Sequence, residues 1–267
     1  MARGRGRAGG RVRAGRHRAG RRRPDDAGCG GQAMNLALFD IDGTLTLGTS
    51  HFGAFVAALE AECGFRNVST DWKAYAHPSD SGIVAQVSRE QARRALGNDE
   101  LQRFKERYLA LLQEACRREA HAVKGAAEFL RRLDADPGWT VAYATGNWQA
   151  TARCKLAAAG LPIDGFPLAG AEDSESRVGI LRAAIDRSLE RCGAESFERI
   201  VSFGDALWDL EAARALRLPF VGLETTGRGP ELAAAGASHL LPDYGDRERA
   251  LRALAEATAP DLLRHCR

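Results

Sequence analysis

The sequence predicts an α/β fold in which a parallel sheet carries helices on both faces and a separate helical segment is inserted into the chain. Short continuous apolar runs, typical of strands buried on both faces, recur along residues 34–267 and alternate with amphipathic segments. Such alternation is typical of parallel sheets covered by helices. Residues 49–122 break the alternation and favour helices throughout.

Five apolar runs are the predicted strands: 36–39, 140–144, 200–203, 219–223 and, more weakly, 239–241. Four amphipathic segments are the predicted helices between them: 126–133, 151–159, 178–189 and 210–216. In the insert, helices are predicted over 51–59 and 82–96 and along an apolar stripe from Leu101 to Leu112. The predicted domains are therefore an α/β core of 34–48 and 123–267, and a helical cap of 49–122.

The first 33 residues differ from the rest of the chain. They hold ten arginines and two aspartates, a net charge of +8, whereas the whole chain carries +3 and the remainder therefore −5. With almost no apolar side chains, residues 1–33 are expected to be disordered. The favoured interpretation is that translation starts at Met34; the alternative is that the tail contacts nucleic acid non-specifically.

Composition argues against several classes of protein. No apolar run approaches the roughly 18 residues of a membrane-spanning helix, so we expect a cytoplasmic protein with no membrane partner. The six cysteines form no C-x-x-C pair, which argues against a zinc site or a disulfide framework and favours reduced thiols.

Polar clusters follow three of the predicted strands, at 40–46, 145–147 and 204–209. Ligands of open α/β sheets bind beyond the carboxyl ends of the strands, so these clusters are expected to converge on one site. Asp40, Asp205 and Asp209 would repel one another there unless a cation joined them. Oxygen ligands of this kind favour Mg²⁺.

The first cluster has the groups that phosphoryl chemistry needs. Asp40 and Asp42 are two residues apart and face the same side of an extended chain, so one can be a nucleophile and the other a proton donor. Gly43 allows the sharp turn that brings backbone N–H groups near a phosphate. Thr145, after the second strand, offers a hydroxyl to the same group.

These motifs resemble those of the haloacid dehalogenase superfamily, in its phosphoglycolate-phosphatase-like branch with a helical cap between the first and second motifs. The family's DxDGT, its strand-end Ser or Thr and its GDxxxD are matched, in the family's order, by Asp40 to Thr44, Thr145, and Gly204 to Asp209. The resemblance implies a Rossmann-like core and a hydrolase of phosphate monoesters.

The resemblance also implies roles for individual residues. Asp40 is the nucleophile and a Mg²⁺ ligand. Asp42 is the general acid and then the base, and its carbonyl binds the metal. Asp205 and Asp209 complete the metal site. The phosphoryl group is held by Gly43, Thr145, Gly146, Asn147 and the cation of the family's third motif, which lies between the strand-end Ser or Thr and GDxxxD.

That third motif departs from the family, which usually has a lysine before a helix. Arg177 occupies this place, and a guanidinium can supply the same charge. Lys155 is the alternative, but its position inside a predicted helix favours a structural or surface role. Trp208, within the GDxxxD motif, is interpreted as a packing residue.

In the predicted cap, residues 71–82 are rich in polar and aromatic groups. His77, Asp80 and Ser81 are candidates for contacting the leaving group of the substrate. An equally good interpretation has Trp72 and Tyr75 in the cap core, and Asp80, Ser81 or Ser79 as the N-cap of a helix.

The leading functional hypothesis is a Mg²⁺-dependent phosphohydrolase that acts on a small phosphorylated metabolite through a phospho-aspartyl intermediate. A phosphomutase on the same scaffold is the main alternative. A 2-haloacid dehalogenase is less favoured because such enzymes generally lack the second aspartate and need no metal. A nucleic-acid-binding protein is disfavoured by the acidic motifs. The substrate and the oligomeric state are not indicated by the sequence.

Overall fold

The computed structural model describes residues 34–48 and 52–260. Its strands are β1 (Asn35–Phe39), β2 (Thr46–Leu47), β3 (His121–Ala122), β4 (Trp139–Ala144), β5 (Leu168–Ala169), β6 (Arg199–Gly204), β7 (Phe220–Leu223) and β8 (His239–Leu241). Six of them form one parallel sheet in the order β5-β4-β1-β6-β7-β8, which confirms the predicted fold class. The predicted disordered tail, residues 1–33, lies outside the described residues.

The helices are α1 (Phe52–Cys63), α2 (Asp80–Ala92), α3 (Asn98–Glu119), α4 (Ala126–Asp134), α5 (Gln149–Ala158), α6 (Arg177–Cys192), α7 (Leu207–Ala215), α8 (Gly229–Ala234) and α9 (Arg247–Glu256). A short 3-10 helix, Trp72–Ala74, precedes α2. None of the helices in the described ranges is long and apolar enough to cross a membrane.

The central strand β1 explains how the sheet is covered. Leu36 and Leu38 pack into the apolar layer on one face, whereas Ala37 and Phe39 pack into the layer on the other. All four are completely buried, because successive residues of a strand point to opposite faces and helices cover both. Residue 40 consequently emerges at the carboxyl end of a strand that the surrounding layers fix firmly.

The inserted helices form an apolar cluster that also includes Trp148 and Ala171 of the core. Along α3, residues four apart face inwards: Phe104, Tyr108, Leu112 and Cys116 are all buried. The ring of Phe55 in α1 lies 5.2 Å from that of Phe104. The cap division of 49–122 stays a prediction, since the short strand β3 falls inside it and pairs antiparallel with β2.

Two further features differ from expectation. The helix predicted over 82–96 ends at Ala92, because Arg93 adopts a left-handed conformation with φ of 57°. The strand β5 and the helices α8 and α9 were not predicted; β5 is only two residues long, too short for a periodic signal. The cysteines in the described part of the chain, Cys63, Cys116, Cys154 and Cys192, are free thiols.

Candidate active site

Three carboxylates meet at the carboxyl edge of the sheet. Asp40 follows β1, Asp205 follows β6, and Asp209 lies in the first turn of α7. One oxygen of each lies within 4.8 Å of those of the other two, and all three residues are buried. The convergence predicted from the strand ends is therefore seen for these side chains.

Burial makes ionisation of this cluster unfavourable. It raises the pKa of Asp40 to about 7, although the nearby Arg177 acts in the opposite direction. Burial also raises the pKa of Asp205 to about 7, helped by the charge of Asp40. The pKa of Asp209 rises to about 6 for the same first reason, again against Arg177.

The chemistry of this cluster suits a hard divalent cation. Three carboxylate oxygens within reach of one ion are the ligands that Mg²⁺ prefers, and a cation would offset both the burial and the mutual repulsion that raise their pKa values. Asp42 differs from the other predicted ligands, because its carboxylate points to Lys155. The metal role assigned to Asp42 thus concerns its carbonyl oxygen alone.

Arg177 lies against the acidic cluster. It is the first residue of α6, a helix whose N-cap Ser176 accepts a hydrogen bond from the Gly179 N–H. Its Nη1 donates to Asp40 Oδ1 at 3.1 Å, and its Nε is 3.0 Å from Asp209 Oδ1. The cation is therefore placed beside the predicted nucleophile, as motif order suggested; its catalytic role stays a prediction.

Lys155 also reaches the site. Of the two roles predicted for it, structural or surface, the surface role is wrong because the residue is buried. Its side chain is only 3% exposed, and its Nζ lies 2.5 Å from Asp42 Oδ2 and 2.6 Å from Asn147 Oδ1. Side chains of a helix point back toward its N-terminus, which here faces the strand end. The two cations are therefore not rivals: Arg177 contacts Asp40, and Lys155 contacts Asp42.

The turn after β4 supplies Thr145, Gly146 and Asn147. Thr145 is fully buried, and its Oγ1 accepts a hydrogen bond from Asn147 Nδ2 at 2.8 Å. Asn147 Nδ2 also lies 2.8 Å from Asp42 Oδ2. Gly146 and Asn147 line the cavity at the cluster, whereas Thr145 does not line it. Phosphate binding by the three residues stays a prediction.

The cavity has a volume of about 220 Å³. Asp40, Asp42, Asp205 and Arg177 line part of it. Its remaining walls come from the core and from the residues ahead of α2, and they include six side chains that were not among the predicted site residues: Trp72, Pro78, Ser79, Trp208, Thr226 and Arg228.

A family model of haloacid dehalogenase-like hydrolases matches residues 34–217. The chain belongs to this family of hydrolases. The resemblance based on the motifs at Asp40, Thr145 and Asp205 is thereby confirmed, and so is the prediction that the chain is a hydrolase. A comparison with curated proteins found no match.

Solved structures resemble the hydrolase over most of its length. A hydrolase from Pseudomonas syringae is 26% identical with a TM-score of 0.57, covering 82% of this chain and 98% of its own. A predicted phosphoglycolate phosphatase from Haemophilus somnus is 19% identical with a TM-score of 0.53, covering 82% and 98%. CbbY from Rhodobacter sphaeroides in complex with phosphate is 21% identical with a TM-score of 0.55, covering 80% and 96%. At such identities, the latter two likenesses concern the fold.

The candidate recognition residues of the hydrolase have different surroundings. His77 is exposed and does not line the cavity; its Cβ lies over Gly82, in a tight turn where the Ser79 N–H donates to the His77 carbonyl. Its expected place facing the site is therefore not observed. Asp80 lines the cavity, but its Oδ2 accepts from the Trp148 N–H at 2.8 Å.

Ser81 and Ser79 also bind the core. Ser81 Oγ donates to the Ala171 carbonyl at 2.7 Å and accepts from Trp148 Nε1 at 2.8 Å. Ser79 is the N-cap of α2, and its hydroxyl donates to the Glu175 carbonyl at 2.7 Å. Side chains at the start of α2 thus attach this helix to the core. The sequence analysis left open whether they were helix caps or substrate contacts.

Among the residues that sequence reasoning missed, Thr226 and Arg228 contact the acidic cluster directly. Thr226 Oγ1 donates to Asp205 Oδ2 at 2.7 Å, and Arg228 Nη1 lies 3.4 Å from the same oxygen. The Arg228 guanidinium lies 5.1 Å from the centre of the Trp208 ring. Trp208 is a partly exposed wall of the cavity rather than only a packing residue. Thr226 and Arg228 follow β7 in a segment without a recognisable motif.

Gly43 contributes shape to the site. Its φ is +75°, and its own N–H donates to the Thr46 carbonyl at 2.8 Å, so its direct contact with phosphate stays a prediction. A Cβ at this position would lie 2.4 Å from Asp205 Oδ2 and 2.8 Å from Thr226 Cγ2. A side chain would therefore displace one of the clustered carboxylates.

We expect Gly43→Ala to lower the free energy of unfolding by about 1–3 kcal/mol and to reduce activity further by displacing Asp205. Urea unfolding and Mg²⁺-dependent turnover measure the two effects. Gly53→Ala is the control, because a Cβ there meets no atom within 4 Å and alanine favours the helix. Equal behaviour of the two variants would contradict the structural role given to Gly43.

Proposed function

We propose that this hydrolase is a Mg²⁺-dependent phosphomonoesterase that forms a phospho-aspartyl intermediate on Asp40. The observation that carries the proposal is the placement of Asp40. Its carboxylate lies in the cavity wall, within hydrogen-bonding distance of Arg177 and grouped with Asp205 and Asp209. Family membership supports the same chemistry.

The proposed reaction has two steps. In the first, an Asp40 oxygen attacks phosphorus, the ester P–O bond breaks, and the leaving oxygen takes a proton from Asp42. In the second, water attacks the phosphorus, its proton passes to Asp42, and the bond between Asp40 and phosphorus breaks. This reaction needs a carboxylate that faces phosphorus opposite the ester oxygen and a carboxyl group beside that oxygen, and Asp40 and Asp42 both line the cavity.

Charge stabilisation in both steps falls to the groups around Asp40. The Arg177 guanidinium, 3.1 Å from Asp40 Oδ1, can bind the oxygens of the transferring phosphoryl group. Mg²⁺ held by Asp40, Asp205 and Asp209 would neutralise the charge of the phosphate and of the carboxylate that approaches it. Gly146 and Asn147 offer polar groups to the same part of the cavity.

The size of the cavity supports a small substrate. About 220 Å³ accommodates a phosphate monoester of a compact metabolite, with the apolar side chains of Trp72, Pro78 and Trp208 near its organic part. The structural relative CbbY was solved in complex with phosphate, which is consistent with phosphate binding by a protein of this fold. We place the enzyme in the cytoplasm.

A panel of phosphorylated metabolites, assayed for phosphate release with Mg²⁺ and with EDTA, tests the function. We expect release from a subset of monoesters, and its loss with EDTA. A phosphomutase would instead convert a sugar phosphate to its isomer without net phosphate release, so the products are analysed as well. Absence of both reactions across the panel would contradict the proposal.

A further inference from the structure

Lys155 is a buried lysine beside the predicted proton donor. Its side chain is 3% exposed, and its Nζ contacts Asp42 Oδ2 at 2.5 Å and Asn147 Oδ1 at 2.6 Å. An ammonium group out of water costs several kcal/mol unless it is paired and hydrogen-bonded. The Lys155 ammonium is therefore stabilised by the two groups that it contacts, and one of them is the side chain proposed to transfer protons.

The side chains of Asp42, Lys155 and Asn147 contact one another. Asn147 Nδ2 donates to Asp42 Oδ2 at 2.8 Å, the same oxygen that Lys155 contacts, while the Asn147 Oδ1 accepts from Lys155. Two donors on one oxygen fix the plane and the direction of a carboxyl group more firmly than one does. The orientation of Asp42 is therefore set by Lys155 and Asn147 together.

The segment inserted between β2 and β3 contributes to this arrangement through Asp80. Lys155 lies on α5, whose N-cap residue Trp148 has no side-chain oxygen to cap the helix. Asp80, at the start of α2, supplies it: its Oδ2 accepts from the Trp148 N–H at 2.8 Å and from Thr151 Oγ1 at 3.3 Å. A carboxylate at a helix N-terminus also has a favourable interaction with the helix dipole.

Lys155 is close enough to Asp80 for their charges to interact. Burial raises the pKa of Asp80 to about 6, and the charge of Lys155 is the largest influence that lowers it. Lys155 therefore has one carboxylate partner in the core, Asp42, and a second negative group nearby on α2, Asp80.

We propose that Lys155 is a positioning residue for Asp42, and that Asp80 fixes the helix that carries Lys155. The contacts between the start of α2 and the core therefore help to determine the orientation of the proton donor. The inference rests on the proposed function, since it assigns Asp42 the proton transfer. Lys155 and Arg177 thus have different roles. Arg177 contacts the proposed nucleophile Asp40, whereas Lys155 orients the proposed acid Asp42.

Two substrates separate this role from a structural one. The leaving oxygen of benzyl phosphate must take a proton as the ester bond breaks, whereas p-nitrophenolate leaves as a stable anion. The value of kcat/KM reports the steps up to departure of the leaving group. Poor positioning of Asp42 therefore lowers kcat/KM for benzyl phosphate more than for p-nitrophenyl phosphate, while a general structural defect lowers both alike.

We expect Lys155→Met to raise the ratio of kcat/KM for p-nitrophenyl phosphate over benzyl phosphate at least tenfold, relative to the unsubstituted enzyme with Mg²⁺. Arg153→Met is the matched control, because Arg153 is exposed on the same helix, and it should leave the ratio unchanged. A ratio that stays within twofold in Lys155→Met would overturn the proposal.

A second variant keeps the test decisive if Lys155→Met fails to fold by circular dichroism. Asp80→Ala removes the hydrogen bonds to Trp148 and Thr151 at the start of α5 and keeps Lys155, and we expect it to raise the same ratio about threefold or more. An unchanged ratio in Asp80→Ala would contradict the role of α2. If the unsubstituted enzyme releases phosphate from neither substrate nor from the metabolite panel, the proposed function fails instead, so the two failures are distinguishable.

Discussion

Asp40→Asn is expected to lower kcat by about 10⁴-fold or more, because an amide oxygen does not form the covalent bond to phosphorus. Asparagine has nearly the volume of aspartate and can still accept from Thr44 Oγ1, so the local packing is kept. Phosphate release with the best substrate of the panel, in saturating Mg²⁺, measures the effect.

Stability distinguishes loss of the nucleophile from loss of the fold. Burial raises the pKa of Asp40 to about 7, so the ionised carboxylate is unfavourable in the folded protein at pH 8. Asp40→Asn should therefore unfold at an equal or higher temperature than the unsubstituted protein without metal. Asp164→Asn, at an exposed site, should keep full activity. Activity of Asp40→Asn within tenfold of the original would rule out Asp40 as nucleophile.

The metal-free protein is expected to lose stability as the pH rises, and Mg²⁺ is expected to restore it. Burial raises the pKa values of Asp40 and Asp205 from 3.8 to about 7, so the folded state holds protons that the unfolded state has lost. Their stabilising effect is fully present below about pH 4 and is lost as the pH rises through about 7. At roughly 1.4 kcal/mol for each pKa unit, one such group changes the free energy of unfolding by roughly 4 kcal/mol.

Thermal unfolding between pH 5 and pH 8, with EDTA or with Mg²⁺, measures this linkage. We expect the EDTA melting temperature to fall across the range, and Mg²⁺ to raise it strongly at pH 8 and weakly at pH 5, where protonated carboxyls bind the ion poorly. Asp205→Asn should be more stable than the unsubstituted protein at pH 8 in EDTA and should respond less to Mg²⁺. An equal response to Mg²⁺ at both pH values would contradict a metal site at these carboxylates.

Much of the core could be predicted from the sequence, because local sequence patterns determine which of its residues are buried. The run 36–39 is apolar at every position, so it predicts a strand covered on both faces, and the residue after it is placed at the sheet edge. The positions of Asp205 and Asp209 were predicted in the same way, because both come shortly after the strand β6. Such features depend on strand direction and local spacing, which a sequence displays directly.

The surroundings of Lys155 and Arg228 depend on contacts between distant segments. Lys155 is 113 residues from Asp42 in the chain, and no periodic pattern indicates that they meet. Arg228 precedes the six-residue helix α8, whose length gives no amphipathic signal. His77 was one candidate for contacting the leaving group, because it lies in a polar and aromatic segment of the predicted cap, but a tight turn places its Cβ over Gly82.

Acid quenching during turnover detects the proposed covalent intermediate on Asp40. The enzyme is mixed with substrate and Mg²⁺, stopped in acid within the first turnovers, digested, and analysed by mass spectrometry. We expect a phosphoryl group on the peptide that contains Asp40, at that residue and not at Asp42. The phosphoryl group should be absent from the Asp40→Asn variant. A phosphoryl group on any other side chain, in an enzyme that releases phosphate, would contradict this expectation.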